Sequence, residues 1–269
     1  MTNLIYQVWT GILTEECRVS SKLMKQYADR IGAEYMLDIN PNIASKLCDV
    51  PVYFEWLNPL VDDKFLKYDK ILSVDLDVFP VENLTENIFD VEIGDIGICT
   101  ERFQGKYRAS TTIGGSINSY NDERWASVIK DKWGSELPRD ADNYLKVYNA
   151  GMVVFSRDGI LKAKSWPSFQ QYIDLIRSRG FGRFYWVDQN YIHAMICSNK
   201  DISYVEMDNG WNAQVHYIRG PLALQYGRVN DERDHNTKFV HVQMSGIKWD
   251  EAGLYDIVNK PKSKWSFKY

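Results

Sequence analysis

Residues 71–79 read ILSVDLDVF, an apolar run into which two carboxylates, Asp75 and Asp77, are set two positions apart. Successive side chains of an extended strand point to opposite faces, so residues i and i+2 share one side. We therefore expect the two carboxylates to converge at the end of a buried strand. Converging carboxylates attract a cation, and oxygen ligands favour a hard ion such as Mg²⁺ or Mn²⁺, which often shares them with the phosphates of a substrate.

Strands alternate with helices on the N-terminal side of this stretch. Hydrophobic periodicity predicts strands at 3–9, 34–39 and 70–74 and helices at 14–31 and 50–67, the first helix ending at Gly32. This alternation predicts a three-layer α/β/α fold with a mainly parallel central sheet. Ligands of such sheets bind beyond the carboxyl ends of the strands, where Asp75 and Asp77 fall.

The rest of the chain continues the α/β pattern less regularly. Residues 101–118 are polar and contain three glycines, which indicates a mobile loop. The remaining elements are predicted as strands at 95–100, 149–155, 203–206 and 238–242, and helices at 120–133, 139–146, 158–179 with a break near Pro167, 187–197 and 250–258. We see no internal repeat, linker or low-complexity segment.

Composition excludes several classes of protein. The chain has 269 residues, is 45% hydrophobic and carries a formal net charge of -4, which provides no general attraction to nucleic acid or an anionic membrane. No apolar run approaches the roughly 20 residues of a membrane helix. The four cysteines, Cys17, Cys48, Cys99 and Cys197, have no metal-ligand spacing and are expected to be reduced and mostly buried. We therefore expect a soluble, cytoplasmic protein.

Two enzyme classes are compatible with the acidic pair alone. In haloacid-dehalogenase-like phosphatases, a strand that ends in Asp-x-Asp supplies a nucleophile and a general acid. That motif normally lies near the start of its domain and is followed by a later acidic pair. Here three strands and two helices precede or include Asp75, and the later pair is hard to find. The second class is the nucleotide-sugar transferases, in which a metal ion bridges the carboxylates and the diphosphate.

Later segments of the chain favour the transferase class. Four motifs occur in one order: 70–80 with the acidic pair, 148–155 (YNAGMVVF), 186–190 (WVDQN), and 240–249, which begins with Val240-His241. Together they resemble GT-A glycosyltransferases, most closely the family-8-like retaining enzymes, which include glycogenin and bacterial galactosyl- and glucosyltransferases. The resemblance implies a single GT-A domain over 1–269, with 1–100 as the nucleotide-binding half and 101–269 as the half that holds acceptor and donor sugar.

The resemblance also implies a metal site. Asp75, Asp77 and His241 would bind the divalent ion, expected to be Mn²⁺ with Mg²⁺ as a substitute, and Asp75 would also lie near the ribose. Gly246 and Lys248 would contact the diphosphate, where a lysine supplies a positive charge to the leaving group. The family usually places the glycine three and the lysine six residues after the histidine, whereas here they come five and seven after His241.

The remaining site residues follow from the resemblance and from topology. Asn149 and Ala150 would lie against the donor sugar, and Asp188 and Gln189 would face the anomeric centre as the catalytic pair; as first-turn helix residues these two have a structural explanation as well. The end of the first strand would hold the nucleotide. Its candidates are Gln7, Val8, Trp9 and Thr10. The family usually has a basic residue in the helix before the acidic pair; residues 53–56 supply none, and Lys46 is a possible substitute. Trp211 is a candidate for the acceptor side, where it could stack on a sugar.

We therefore expect a metal-dependent hexosyltransferase that moves a hexose from a nucleotide-diphosphate sugar, a UDP-sugar, to a glycan or other hydroxyl acceptor. No additional base is evident, which favours retention of configuration by a front-face substitution in which the leaving phosphate assists acceptor deprotonation. A bacterial enzyme, or a viral enzyme in the host cytoplasm, fits this expectation. The alternatives are the phosphatase and a degenerate domain that binds sugar without turnover.

Overall fold

In the central sheet, the strand that ends at Val74 lies beside the beginning of the strand that starts at Tyr148. The computed structural model describes residues 2–110, 112, 116–217, 229–243 and 251–265. Six of its strands are β1 Asn3–Trp9, β2 Glu34–Ile39, β3 Lys70–Val74, β5 Ile96–Thr100, β6 Tyr148–Ser156 and β7 Tyr204–Glu206. They form one sheet in the order β2-β1-β3-β6-β5-β7.

Strand β6 is the only one of these six that runs against both neighbours. It pairs antiparallel with β3 and β5, whereas β1 pairs parallel with β2 and β3, and β5 with β7. Val74 is the register partner of Met152, so the N-terminal residues of β6 lie beside the C-terminal end of β3. This reversal places the Asn149-Ala150-Gly151 segment next to the acidic pair.

Helices cover both faces of the sheet. They are α1 Glu15–Ile31, α2 Asn58–Val61, α3 Gln104–Ser110, α4 Ser119–Trp133, α5 Arg157–Ala163, α6 Phe169–Ser178, α7 Asp188–Ser198 and α8 Glu251–Asn259. Ile71 packs into one buried apolar cluster and Leu72 into another, as expected for a strand that is covered on both sides. The predicted stop of α1 is confirmed, since Gly32 has φ 71° and its N–H donates to Ala28.

The helix predicted at 50–67 is wrong. The segment consists of the 3₁₀ turns Pro51–Tyr53, Glu55–Leu57 and Asp63–Lys67 around the four-residue α2. Pro51 fits the first turn of a helix, but Pro59 would lie in the interior of the predicted one, where it lacks a backbone donor and its ring clashes with the carbonyl of residue 55. The hydrogen bonds of one long helix therefore cannot form. The broken segment leaves the side chains around residue 55 at the edge of the sheet, where they reach the candidate site.

Two further predictions for the middle of the chain are corrected. Residues 139–146 are not helical, because the Asp140 carboxylate accepts the N–H groups of Asp142 and Tyr144 and Asn143 adopts φ 66°, which closes a turn. The polar segment 101–118 is not all loop, since it contains α3. None of the helices in the described part of the chain is long and apolar enough to cross a membrane.

A second, smaller sheet carries the histidine. It consists of β4 Val78–Pro80, β8 Ala213–Tyr217, β9 Val229–Asp231 and β10 Phe239–Gln243 in the order β4-β10-β8-β9. In the antiparallel pair of β4 and β10, His241 is the register partner of Val78. Because Val78 follows Asp77 directly, this pairing brings His241 to the acidic pair. Only β10 of this sheet is predicted by the sequence.

Candidate active site

Asp75, Asp77 and His241 form one group at the junction of the two sheets. Each offers a ligand atom, and these atoms lie within 4.8 Å of one another. The two carboxylates converge in a tight turn after β3, in which the Asp75 carbonyl accepts the N–H of Val78 at 3.3 Å. Backbone bonds from Asp75 N–H to Gly151 O and from Val242 N–H to Asp77 O, both 2.8 Å, attach this turn to both sheets.

The contacts of His241 place a proton on one of its two ring nitrogens. Nδ1 lies 3.2 Å from the amide oxygen of Asn212, and Nε2 lies 3.3 Å from the amide nitrogen of Gln243. An amide oxygen accepts, and Asn212 is oriented by its own bond to Asn149, so this contact places a proton on Nδ1. Nε2 lies 3.1 Å from Asp77 Oδ1, so it either carries a second proton that it shares with this carboxylate or offers a lone pair to a cation beside it.

Electrostatics at this group favour a bound cation. Burial lowers the pKa of His241, but the carboxylates of Asp77 and Asp75 outweigh it and the net shift is upward. Burial, and then the neighbouring Asp77 carboxylate, raise the pKa of Asp75. Two lone-pair atoms as close as Nε2 and Asp77 Oδ1 need positive charge beside them, from a proton or from a metal ion. Two carboxylates and an imidazole fit a hard or borderline divalent ion such as Mn²⁺.

Buried hydrogen bonds link His241 to the carboxylate of Glu101, which directly follows β5. Asn212 Nδ2 donates to Asn149 Oδ1 at 2.8 Å, and Asn149 Nδ2 donates to Glu101 Oε1 at 2.8 Å. Gln189 Nε2 donates to the same Glu101 oxygen at 3.2 Å. All donors in this amide chain, from His241 through Asn212 and Asn149, point toward Glu101. The Glu101 carboxylate therefore orients both the histidine and the catalytic candidate Gln189.

Gly151 leaves the space that the imidazole occupies. A Cβ built on Gly151 would lie 2.4 Å from Cε1 of His241. The small residues of the Asn149-Ala150-Gly151 segment were expected to give the donor sugar access to the backbone. In the structure, the missing side chain of Gly151 leaves room for the His241 ring, and the Asn149 side chain is held within the amide chain. The contact of this segment with a donor sugar stays a prediction.

A pocket of about 440 Å³ opens beside the acidic pair. Three of the four nucleotide candidates line it, and the fourth, Gln7, is fully buried and donates to the Asp75 carbonyl at 3.0 Å. Residues of the broken 50–67 segment, which sequence reasoning did not assign, also line it. The lining includes Val8, Trp9, Thr10, Val52, Tyr53, Trp56, Asp75, Asp77 and Asp188.

Asp188 is held by a tryptophan. Trp56 Nε1 donates to Asp188 Oδ2 at 2.6 Å, across 132 residues of sequence. Burial raises the pKa of Asp188 to about 6, and the hydrogen bond from Trp56 opposes that rise. The resemblance leads us to expect a basic side chain in 53–56. This segment instead has the indole N–H of Trp56, which donates to a carboxylate without adding a positive charge.

Four other predicted site residues, Gly246, Lys248, Trp211 and Lys46, are not among the described residues that line this pocket. Gly246 and Lys248 lie outside the described residues. Trp211 is 4% exposed and packs edge-on against Phe239 with ring centroids 5.4 Å apart, as a core residue does. Lys46 is exposed at the end of a 3₁₀ turn. The assignments of Lys46 and Trp211 stay predictions.

Comparison with known proteins shows the fold. Neither protein-family models nor curated proteins match the chain. Among solved structures, an active-site mutant of LgtC aligns at 11% identity and TM-score 0.50, covering 89% of this chain and 86% of that one. Mouse xyloside xylosyltransferase 1 aligns at 10% identity and TM-score 0.50, covering 90% and 97%. A glycosyltransferase involved in glycosylation of the major capsid of PBCV-1 is also similar, at 13% identity, TM-score 0.49 and coverage of 92% and 94%.

The chain therefore has the GT-A fold. Within that fold it carries an Asp-Asp-His group that is suited to a metal ion. The sequence-based assignment of the fold is confirmed, and the phosphatase alternative is not favoured.

Proposed function

We propose that the protein is a metal-dependent glycosyltransferase that moves a hexose from a UDP-sugar to a hydroxyl of a glycan acceptor, with retention of configuration. One observation carries this proposal: the Asp75-Asp77-His241 group lines or adjoins a pocket of about 440 Å³ beyond the ends of β1 and β3. Ligands of open α/β sheets bind at that edge. The pocket is large enough for much of a nucleotide and has aromatic walls, Trp9 and Tyr53.

The residues of the site have separable roles in this proposal. A bound divalent ion would supply Lewis-acid stabilisation of the departing diphosphate, worth several kcal/mol. Asp75, Asp77 and the Nε2 lone pair of His241 would hold it. Asp188 and Gln189, at the start of α7, would face the donor sugar, with Gln189 oriented by its bond to Glu101. The acceptor proton would pass to the leaving phosphate, so no enzymic base is needed.

The test is release of UDP. Incubation with UDP-glucose or UDP-galactose, Mn²⁺ and water is expected to release UDP slowly, faster with a sugar acceptor, and not at all with excess EDTA. The same donors with Mn²⁺ are expected to raise the Tm, because a ligand that binds only the native state stabilises it. Phosphate release from a phosphomonoester would instead indicate the phosphatase. Binding of a donor without turnover over a full panel would indicate the degenerate domain.

Trp56→Phe is expected to shift the pH dependence of transfer. The substitution removes the donor that stabilises the Asp188 carboxylate, so the pKa of Asp188 should rise from about 6. The acid limb of kcat/KM against pH, which reports groups of the free enzyme, is then expected to move upward by about one pH unit. Trp133→Phe, which removes a tryptophan stacked on Tyr172 away from the pocket, is the control. An unchanged acid limb in Trp56→Phe would contradict the role of Asp188.

A further inference from the structure

A polar face of the second sheet adjoins the candidate active site. In β8, Val215 packs into an apolar cluster, so its neighbours Gln214 and His216 point to the opposite face. The parallel pairing with β10 places Gln214 beside His241 and His216 beside Gln243. This face therefore continues directly from the metal-binding histidine.

Three residues of this face carry buried polar atoms without partners; the third is Glu232, which follows β9 and whose N–H donates to the Gln214 carbonyl at 2.9 Å. Gln214 is 0% exposed and His216 5% exposed. Within the part of the chain that the structure describes, neither amide atom of Gln214, neither ring nitrogen of His216 and not Oε2 of Glu232 has a hydrogen-bond partner. Folded proteins satisfy the large majority of such atoms, and a cluster of exceptions beside a reaction centre points to a ligand.

The cluster lies on the side of the metal group opposite the nucleotide pocket. The ring of His216 lies 6.0 Å from that of Phe103, and the Phe103 N–H donates to the Glu232 carboxylate. Phe103 comes two residues after Glu101, which binds Gln189. In the sheet, β1 lies on one side of β3, and β6 and then β5 lie on the other. The nucleotide pocket lies at the end of β1, whereas Glu101 follows β5. An acceptor placed here would approach the donor sugar from the side away from the nucleotide.

The chemistry of the cluster favours an uncharged, hydroxyl-rich ligand. An amide offers donors and an acceptor, and a neutral imidazole offers one of each. Burial, and then the nearby His241, lower the pKa of His216 to about 4, so it is neutral at physiological pH. Burial and then the Glu101 carboxylate raise the pKa of Glu232 to about 7; the exposed Arg102 has a smaller, opposing effect. Two neighbouring carboxyl groups disfavour an anion.

We propose that Gln214, His216 and Glu232 form a subsite for a neutral sugar residue of the acceptor, bound through its hydroxyl groups. The inference rests on the proposed glycosyl transfer and specifies the class of its acceptor. It predicts that neutral glycosides are used and that uronic acids and sugar phosphates are rejected.

Gln214→Leu and His216→Phe test the subsite because they keep size and remove the unpartnered polar atoms. Apolar replacement of such atoms is neutral or stabilising for the fold, so the Tm is expected to stay constant or rise. The KM for a neutral acceptor such as lactose or maltose is expected to rise roughly 10- to 100-fold. UDP release in water without acceptor is expected to change less than about twofold, since donor and metal contacts are intact. His235→Phe, an exposed histidine in a turn, is the control.

Glu232→Gln tests charge selection with little change in shape. The ratio of kcat/KM for methyl glucuronide to kcat/KM for methyl glucoside is expected to be about 10-fold higher in this variant than in wild type. Saturation-transfer NMR with lactose and maltose measures the subsite independently of turnover, and Gln214→Leu is expected to lose the signal that wild type gives. If no donor releases UDP, but wild type binds these sugars and Gln214→Leu does not, then the proposed function fails and the sugar subsite stands.

Three outcomes would overturn the inference. In the first, the Gln214 and His216 variants bind and use neutral sugars as wild type does. In the second, they lose hydrolysis, transfer and Tm together, which would show a structural role. In the third, wild type prefers acidic or phosphorylated acceptors.

Discussion

Asp75→Asn and Asp77→Asn are each expected to reduce transfer by about 10³-fold or more and to leave the protein folded. Each substitution removes one of two carboxylates from a three-residue group, and an amide oxygen is a neutral, weaker ligand. The neighbouring backbone bonds to Gly151 and Val242 do not involve either side chain, so the turn is retained. Loss of the metal site therefore separates from loss of the fold.

The metal-free Asp75→Asn protein is expected to be more stable than metal-free wild type above the ordinary pKa of an aspartate, by a margin that grows until about pH 8. The pKa of Asp75 is raised by burial and by Asp77 above its ordinary 3.8. For an acid with a raised folded pKa, stability is greatest when the acid is protonated and falls as the pH rises from the unfolded value toward the folded one. Asparagine does not ionise, so the fall in stability with rising pH that Asp75 causes in wild type should be absent from the variant. The measurement is the Tm of both metal-free proteins as a function of pH.

Thermal shift with Mn²⁺ measures the same group directly. Wild type is expected to gain Tm with Mn²⁺ in the presence of UDP, and Asp75→Asn and Asp77→Asn to gain little. Asp131→Asn, an exposed aspartate of α4, is the matched control and should respond as wild type does. Full activity in excess chelator, or an equal Mn²⁺ shift in the Asp75 and Asp77 variants, would eliminate the metal role.

The acidic pair and the sheet around it could be predicted because local signals carry them. The run 71–79 is apolar enough to identify a buried strand, and Gly32 marks the end of α1 by its backbone alone. The helix prediction for 50–67 failed because several short turns in succession can also place apolar residues three to four positions apart, and because Pro59 interrupts the hydrogen bonds of a continuous helix. Trp56, which holds Asp188, was consequently missed.

The second sheet and the amide chain were not predictable in the same way. Strand β4 is three residues long, and β8 alternates Val215 with buried polar residues, which reads as a solvent-exposed edge. Glu101 and Asn212 have no motif, since their roles depend on partners 48 and 63 residues away or on a different sheet. Their common signal is a polar side chain next to apolar strand residues, which is too frequent to decide a role. His241 was assigned by the resemblance alone.

Gly151→Ala is expected to lower Mn²⁺ affinity about 10- to 100-fold and transfer by a similar or larger factor, because it displaces His241, the third residue of the proposed metal group. The added methyl would lie 2.4 Å from Cε1 and 3.0 Å from Nδ1 of His241, well inside contact distance. The ring cannot retreat without breaking its bond to Asn212, the first link to Glu101 and Gln189. Overpacking of this kind also costs about 1–3 kcal/mol of stability.

A double-mutant cycle separates the clash from a general defect in β6. In a His241→Ala background the ring is absent and the 2.9 Å contact with Asn149 Oδ1 remains, so Gly151→Ala should cost less stability and Mn²⁺ affinity than it does in wild type, an interaction of about 0.5–3 kcal/mol between the two sites. Gly134→Ala is the matched control for a destabilised fold. Its methyl meets no atom within 4 Å, but φ is 73°, so it should cost about 1–2 kcal/mol with Mn²⁺ affinity unchanged. Additive losses in the cycle would mean that Gly151 acts on the sheet and not on the imidazole.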